Sequence, residues 1–379
     1  MVKYDYIIVG AGAAGLMMAY RMAKEPFFAD KTILILDKEK KTQNDRTWCF
    51  WEQNKGEWDD ILHHSWSKIY FTSDSYSSKK SISPYKYKMI KGDDFYKKTW
   101  KSLENKSNIT FRKEPVSEIL QEEKFATVIT SKNTYFSKNI LNSILFSDDY
   151  KKQSKYPALQ QHFVGFFIKT KENHFDNSIA TFMDFSVEQK ENTRFMYVLP
   201  YKKNEALFEY TLFSADLLPY DEYKVGIEKY LLEKGITDYE IIEKEQGSIP
   251  MTSYEFWKKN SKNIINIGTS GGWSKASTGF TFKNIDKKTV ELIHHLKQEK
   301  SLETFHQKTK FWLYDLLLLD ILAKKNYLGA SIFSKMFKNI APQKIFKFLD
   351  EETTIVEEIQ IFSKMQKRLF SKALIRRIF

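Results

Sequence analysis

The chain reads as an α/β (α+β) protein. A parallel-sheet nucleotide-binding unit is interleaved with an antiparallel sheet and followed by a helical C-terminal region. Three observations predict this: a βαβ opening closed by glycines, a distant strand that also runs into glycines, and a block of successive β-type runs between them.

Residues 4–9 form an apolar run that enters Gly10-Ala11-Gly12-Ala13-Ala14-Gly15 directly. A helix over 16–23 follows, and residues 32–36 make a second buried strand ending in Asp37. Gly10 admits a sharp turn, Gly12 lets backbone approach a pyrophosphate, and Gly15 lets the helix pack closely on the strand. The helix N-terminus offers N–H groups and a positive dipole end to phosphates. Asp37 lies 22 residues past Gly15, where about 20 is expected for an acid that binds ribose. Strand, turn, helix and strand in this order are the context that makes the glycine motif a dinucleotide fingerprint, here a Rossmann-type start.

Residues 46–100 read as loop-rich and polar, ending in a helix start over 91–96 that Asp93 or Asp94 can cap. Residues 109–111 and 125–130 read as strands, and 139–146 as a strand returning to the first sheet. Between 160 and 255 the runs 162–169, 181–185, 194–199 and 206–213 alternate with turns, which predicts an antiparallel sheet. Residues 264–267 are again a strand, running into Gly268-Thr269-Ser270-Gly271-Gly272 with Ser277-Thr278-Gly279 behind. From about 285 onward the pattern is mostly helical.

FAD is longer than NAD, and its flavin ring must be gripped by a segment arriving from elsewhere in the fold. The second glycine cluster is such a grip, because glycines let backbone lie against a ring. The pair of clusters therefore points to FAD, held by Gly10, Gly12, Gly15, Asp37, Gly268, Thr269, Gly271, Gly272, Thr278 and Gly279. The implied division is 1–159 for the first part of the FAD-binding domain with inserted polar loops and 160–255 for a mainly antiparallel substrate domain. Residues 256–295 return to the FAD-binding domain, and 296–379 form the helical region.

Composition narrows the function. At 379 residues with 42% hydrophobic content, the chain can hold two domains and a real core. The net charge of +12 suits an anionic surface or an acidic ligand. No zinc finger, RNP aromatic pair or basic helix with base-stacking residues accompanies it, so nucleic acid is not expected. The single cysteine, Cys49, excludes an intramolecular disulfide, a cysteine-based metal site and disulfide-exchange chemistry, and fits a reducing cytoplasm. No metal site is expected. No apolar run reaches the roughly 18 residues of a membrane span. Residues 364–379 carry Lys364, Lys367, Arg368, Lys372, Arg376 and Arg377 with no acid among apolar residues. That pattern suits an anionic membrane surface, or equally a helix docked by its apolar face. Aromatics make up 16% of the chain, which fits either ordinary core packing or a tunnel for a long apolar substrate.

Two carboxyl groups stand among these aromatics. Glu209 follows Phe208 and precedes Tyr210, and Asp184 lies between Met183 and Phe185. In an apolar cleft either would hold its proton to higher pH and serve as an acid. On the solvent face of its strand it would do nothing of the kind. Trp48 and Trp51, in Asp45-Arg46-Thr47-Trp48-Cys49-Phe50-Trp51-Glu52, are candidate rings for stacking or for stabilising a cation, as are Phe208 and Tyr210.

At these residues the chain resembles the bacterial lycopene β-cyclases of carotenoid biosynthesis, nearly end to end. The resemblance rests on Gln43 to Trp51, on Phe208-Glu209-Tyr210-Thr211 after Tyr197-Val198-Leu199-Pro200, and on Ile249-Pro250-Met251-Thr252. It extends to Ile267-Gly268-Thr269, Ser277-Thr278-Gly279-Phe280 and Phe348-Leu349-Asp350-Glu351-Glu352. Where that family often has two consecutive acids, this chain has Glu209 and then Tyr210, so a role for the second acid does not carry over.

The resemblance implies a flavin-dependent isomerisation with no net redox change. The FAD would act reduced, with NAD(P)H as reductant. The substrates would be lycopene and its monocyclic intermediate, and the enzyme would be cytoplasmic and peripheral on the inner membrane. Protonation of a terminal double bond would start the closure of a β-ring, with Glu209 as the acid. Two other readings stay open: a flavin monooxygenase or dehydrogenase acting on an apolar substrate, and a non-catalytic carotenoid or lipid carrier.

Overall fold

The computed structural model describes residues 2–378. The apolar runs around the first glycine turn become neighbouring parallel strands. Val2–Val9 pairs with Ile33–Asp37 on one side and with Thr134–Asn142 on the other. Ile7, Ile8, Val9, Ile33, Leu34, Ile35 and Leu36 are all completely buried, as a strand covered on both faces requires. Ile109–Lys113 extends the sheet beyond Ile33–Asp37. The late strand Ile264–Asn266 pairs in parallel with the end of Thr134–Asn142, and an antiparallel hairpin of Val116–Gln121 and Ala126–Thr130 completes the layer. Helix Ala13–Lys24 covers one face together with Gly92–Leu103 and Phe282–Lys297. The α/β (α+β) class is therefore the observed one.

The second sheet has the order Tyr239–Met251, Leu159–Thr170, Glu205–Ser214, Thr193–Pro200, Ile179–Asp184, Lys68–Ser73, Tyr76–Ser81. It is antiparallel except where Lys68–Ser73 runs parallel to Ile179–Asp184. Period-2 alternation sorts its side chains into two environments. Phe208, Tyr210 and Leu212 join Phe166, Tyr223, Ile227 and Leu231 in a core under helix Tyr220–Glu233. Leu207, Glu209 and Phe213 point the other way, into a cavity.

Two sequence expectations change here. Residues 46–100 are not mainly loop: they contain Thr47–Glu52, His64–Trp66, Lys68–Ser73, Tyr76–Ser81 and Lys86–Lys91, and the first, second and last form a small sheet of their own. These strands are short and several show polar residues on one face, so no apolar run announces them. The antiparallel sheet accordingly draws two strands from outside 160–255. The helix after them begins at Gly92 with Lys91 as its N-cap, which puts Asp93 and Asp94 in the first turn rather than at the cap.

The C-terminal helices Lys310–Lys324, Gly329–Asn339, Pro342–Leu349, Ile355–Lys364 and Lys367–Ile378 close over the cavity side of the second sheet. A reciprocal capping box between Thr354 and Glu357 starts the fourth of these. Buried Lys275, behind the second glycine turn, reaches Asp315 at 3.0 Å and Glu351 at 2.8 Å, and so ties that turn to the helices. Its two carboxylate partners hold the Lys275 pKa above the ordinary value against the opposing effect of burial.

Candidate active site

A cavity of about 1010 Å³ lies between the two sheets and the C-terminal helices. Residues of both glycine clusters line it: Gly12, Ala13 and Ala14 from the first, and Gly268, Thr269, Thr278 and Gly279 from the second. The clusters, more than 250 residues apart in sequence, meet because Gly268 has no side chain; a Cβ there would stand 2.8 Å from Ala14 Cβ. Within the first turn a Cβ at Gly15 would lie 1.9 Å from the Gly10 carbonyl oxygen, so Gly15 permits the close crossing of helix over strand. Gly12 differs: a Cβ there would meet nothing within 4 Å, since the position faces the cavity. It is also the N-cap of helix Ala13–Lys24, with no side chain capping the helix end.

These features fit a dinucleotide with a flavin. An uncapped helix N-terminus opens onto the cavity where phosphates would bind. Asp37 ends the second strand beside it, its carboxylate accepting from the Ala11 N–H at 2.5 Å and the Glu39 N–H at 3.1 Å. Two buried polar atoms on the cavity wall, Gln161 Oε1 and Thr278 Oγ1, have no protein partner. Buried polar atoms normally find one, so both suit a polar ligand. Gly271 and Gly272 end the second turn without lining the cavity; a Cβ at Gly271 would strike the Asn266 carbonyl oxygen at 2.2 Å.

Glu209 is on the cavity wall and 7% exposed. The Thr211 hydroxyl donates to its Oε1 at 2.6 Å, leaving Oε2 to carry a proton. Register places Glu209 opposite Gly165 on one side and Tyr197 on the other, and places Glu245 opposite Gly165 in the next strand. Tyr197, Glu209, Gly165 and Glu245 thus form one row across adjacent strands. Glu245 also lines the cavity, and Thr47 donates to its Oε2 at 2.7 Å. Burial, reinforced by the charge of Glu245, holds the Glu209 carboxyl well above the ordinary carboxylate range. Burial also raises Glu245, opposed by the Thr47 hydrogen bond and by the charges of Arg46 and Lys91.

Phe182, Phe195, Phe213, Phe280 and Phe337 are among the rings of the wall, which elsewhere carries charged side chains such as Lys41, Asp45, Arg46, Asp315 and Lys367. Phe182 and Phe280 stack with centroids 6.0 Å apart. The hydroxyls of Tyr87 and Tyr197 hydrogen-bond to each other beside Cys49. Burial pushes the Cys49 thiol up to about 12 and raises both phenols, so all three stay neutral. A half-buried cluster of neutral groups and ring faces on the cavity wall can stabilise a cation without supplying a competing nucleophilic anion.

The structure separates the remaining candidates. Trp48 lines the cavity. Trp51 stacks on Phe346 with centroids 4.7 Å apart and donates to Asp350 at 2.8 Å, outside the main cavity wall. Phe208 and Tyr210 lie on the opposite face of the sheet from Glu209, with Tyr210 against Gly226 of helix Tyr220–Glu233. Asp184 is completely buried away from the cavity, accepting from the Tyr230 hydroxyl at 2.7 Å and the Ser186 N–H at 2.9 Å. Strand alternation accounts for Phe208 and Tyr210, the neighbours of cavity-facing Glu209. At Asp184 the strand register shifts, and Phe182 and Met183 both line the cavity while Asp184 turns away from it. The sequence does not single out Glu245, because Tyr239–Met251 is crowded with charges and shows no apolar alternation. The nearby Gly247-Ser248-Ile249-Pro250-Met251 was its only usable signal.

The family model described as "Lycopene cyclase protein" matches residues 5–375. The chain belongs to the lycopene cyclase family. Among curated proteins it is similar to a chloroplastic neoxanthin synthase of Solanum tuberosum, 24% identical over 310 residues, covering 73% of this chain and 57% of that protein. The chain thus matches little more than half the length of that relative. Among solved structures it is similar to a geranylgeranyl bacteriochlorophyll reductase-like protein from Thermoplasma acidophilum, with TM-score 0.63 at 12% identity over 98% of both chains. A flavoprotein/dehydrogenase from Cytophaga hutchinsonii also gives TM-score 0.63 at 12% identity, over 98% of this chain and 99% of that one. The cyclase family therefore carries a fold shared with flavoproteins.

Proposed function

We propose that this member of the lycopene cyclase family is a lycopene β-cyclase, closing the linear ends of lycopene to β-rings with no net redox change. The observation that carries the reading is Glu209: a buried carboxyl group with a raised pKa on the wall of an aromatic cavity. FAD, held at Gly12, Gly268, Thr269, Thr278 and Gly279 and kept reduced by NAD(P)H, would supply negative charge to oppose a developing cation.

Glu209 donates its proton to C2 of the terminal C1=C2 double bond, leaving C1 cationic. Apolar and aromatic side chains on the wall, Leu207, Phe195, Phe213 and Phe280 among them, limit the water that would capture this cation, and ring faces stabilise it by about 0.5–2 kcal/mol each. The C5=C6 electron pair then forms the C1–C6 bond, and loss of the C6 proton gives the β-ring. Such a substrate resides in membrane. The exposed side chains of Ile355, Val356, Ile359, Ile375 and Ile378, on the two helices that also supply cavity-lining residues, favour peripheral docking on an anionic leaflet.

Expression in a lycopene-accumulating bacterial strain, followed by pigment chromatography and mass measurement, tests the reading. The expected products are γ-carotene and β-carotene at the mass of lycopene. Glu209→Gln is expected to lower product formation by about 10²–10⁴-fold while FAD stays bound. Unchanged lycopene from a flavin-loaded wild-type protein, or an oxidised product, would remove the cyclase reading and favour a flavin monooxygenase or dehydrogenase.

A further inference from the structure

We infer that Glu245 is a second catalytic carboxyl group, facing Glu209 across Gly165, and that the pair holds one proton between an acid and a base. The inference rests on the cyclase reading and deepens it by assigning the group that removes the C6 proton.

The geometry is set by one missing side chain. Glu209 and Glu245 sit opposite Gly165 from the strands on either side of it. With neighbouring strands about 4.8 Å apart, their Cα atoms lie on the order of 10 Å from each other. A Cβ on Gly165 would stand 3.0 Å from Glu245 Cγ and 3.4 Å from its Oε1. Glu245 therefore leans over the glycine from the strand opposite Glu209, sharing the space a side chain at 165 would take with Leu207, whose Cδ1 would lie 2.9 Å from that Cβ.

The surroundings assign the roles. Glu245 faces the cations Arg46 and Lys91 and accepts from Thr47, with the charge of Glu243 opposing them. Lys91 is shared with Glu243 at 3.0 Å, and Arg46 donates to the Gln246 carbonyl at 2.9 Å. Among the described residues no ion pair reaches Glu209: it accepts from the Thr211 hydroxyl, feels the charge of Glu245, and lies beside the neutral Tyr197, Tyr87 and Cys49. Two like carboxyls in one enclosed site do not both ionise readily; the one without cations keeps the proton. Glu209 is then the acid and Glu245 the base.

The proton balance closes. Glu209 gives its proton to C2, and the C1=C2 pair forms the new C–H bond. The C5=C6 pair forms the C1–C6 bond and leaves C5 cationic. The C6–H pair restores C5=C6, and that proton passes to the Glu245 carboxylate. Return of the proton from Glu245 to Glu209 readies the site for the second end of the substrate.

The test compares Glu245→Gln, Glu245→Asp, Gly165→Ala and wild type, with flavin content and melting temperature as checks on folding. Wild type is expected to show a bell-shaped pH–rate profile, with apparent values belonging to the pair. Glu245→Gln is expected to lose the acid-side limb and about 10²–10⁴-fold in kcat. Its residual product should keep the mass of lycopene but carry displaced or exocyclic ring double bonds, because the C5 cation then loses a proton from C4 or a methyl group. Glu245→Asp should recover part of the rate and the β-ring product. Gly165→Ala, which leaves both carboxyl groups in place but crowds Glu245 and Leu207 with a new methyl, should cost on the order of 10²-fold.

Infrared titration of the purified flavin-loaded protein supplies a reading independent of turnover. One protonated-carboxyl band should persist at neutral pH in wild type, disappear in Glu209→Gln, and titrate at lower pH in Glu245→Gln. Unchanged rate, profile and ring isomer in Glu245→Gln, or an unaltered band in Glu209→Gln, overturns the inference. A wild type that makes no cyclic product removes the cyclase reading instead, and the infrared result alone then decides the shared proton.

Discussion

At the scale of single residues, a carboxyl group suited to proton donation is a cost to the fold. Glu209 holds its proton to higher pH in the folded protein than in the unfolded chain, where an ordinary Glu titrates near 4.3. Between those two values the native state binds more protons, so stability falls as pH rises through the folded pKa. Glu209→Gln removes that loss and keeps an oxygen to accept from Thr211. The variant is expected to melt higher than wild type near pH 9 and to match it near pH 5, as followed by circular dichroism. A difference of the same size at both pH values would show that packing, not ionisation, sets it. The residues of the site were only partly legible in the sequence. Glu209 was visible as an acid among aromatics, but which way it faced was not. A strand with apolar side chains on both faces has no polar side to read. The same lack of a polar side makes Phe208 and Tyr210 read as companions of Glu209, and alternation sends them to the other side of the sheet.

At the scale of elements, glycines that look alike in the motif do different work. Gly15 sits where a side chain would collide with the Gly10 carbonyl, whereas a Cβ at Gly12 enters open cavity. Gly15→Val is therefore expected to destabilise the protein by about 1–3 kcal/mol or more through overpacking. Gly12→Val should fold with a melting temperature near that of the apo wild type yet purify without FAD. Absorbance at the flavin band and a thermal melt check both. A yellow Gly12→Val protein would mean that the cofactor lies elsewhere. The βαβ opening was legible because buried parallel strands are continuous apolar runs, and the structure differs there by only a few residues at each end. Tyr76–Ser81 and Tyr239–Met251 were not legible, since exposed sheet-edge strands carry polar residues and are held by backbone pairing rather than by an apolar face.

At the scale of the whole molecule, the site is a joint product of regions that look independent in sequence. The glycine turns supply one part of the cavity, the antiparallel sheet the carboxyls, and the C-terminal helices an apolar wall that includes Phe362, Phe370 and Leu374. Removing residues 364–379 would thus strip the cavity as well as any docking surface, and cannot test the two separately. Among the described residues no helix is long and apolar enough to cross a membrane, so docking would have to use surface side chains. Arg377 is already engaged by Asp320, whereas Ile375 and Ile378 are 55% and 64% exposed beside Lys372 and Arg376. Replacing both isoleucines with glutamine changes exposed positions, which alters folding stability by only about 0.5 kcal/mol or less each. If these side chains enter the lipid interface, each contributes roughly 1.5 kcal/mol or more there. Ile375→Gln with Ile378→Gln is then expected to weaken binding to anionic liposomes by roughly 10²-fold in sedimentation. The wild-type interaction should also weaken as salt screens the basic helix. Equal sedimentation of the two proteins would show that this helix does not meet the membrane, and would direct attention to Ile355, Val356 and Ile359 on the helix before it.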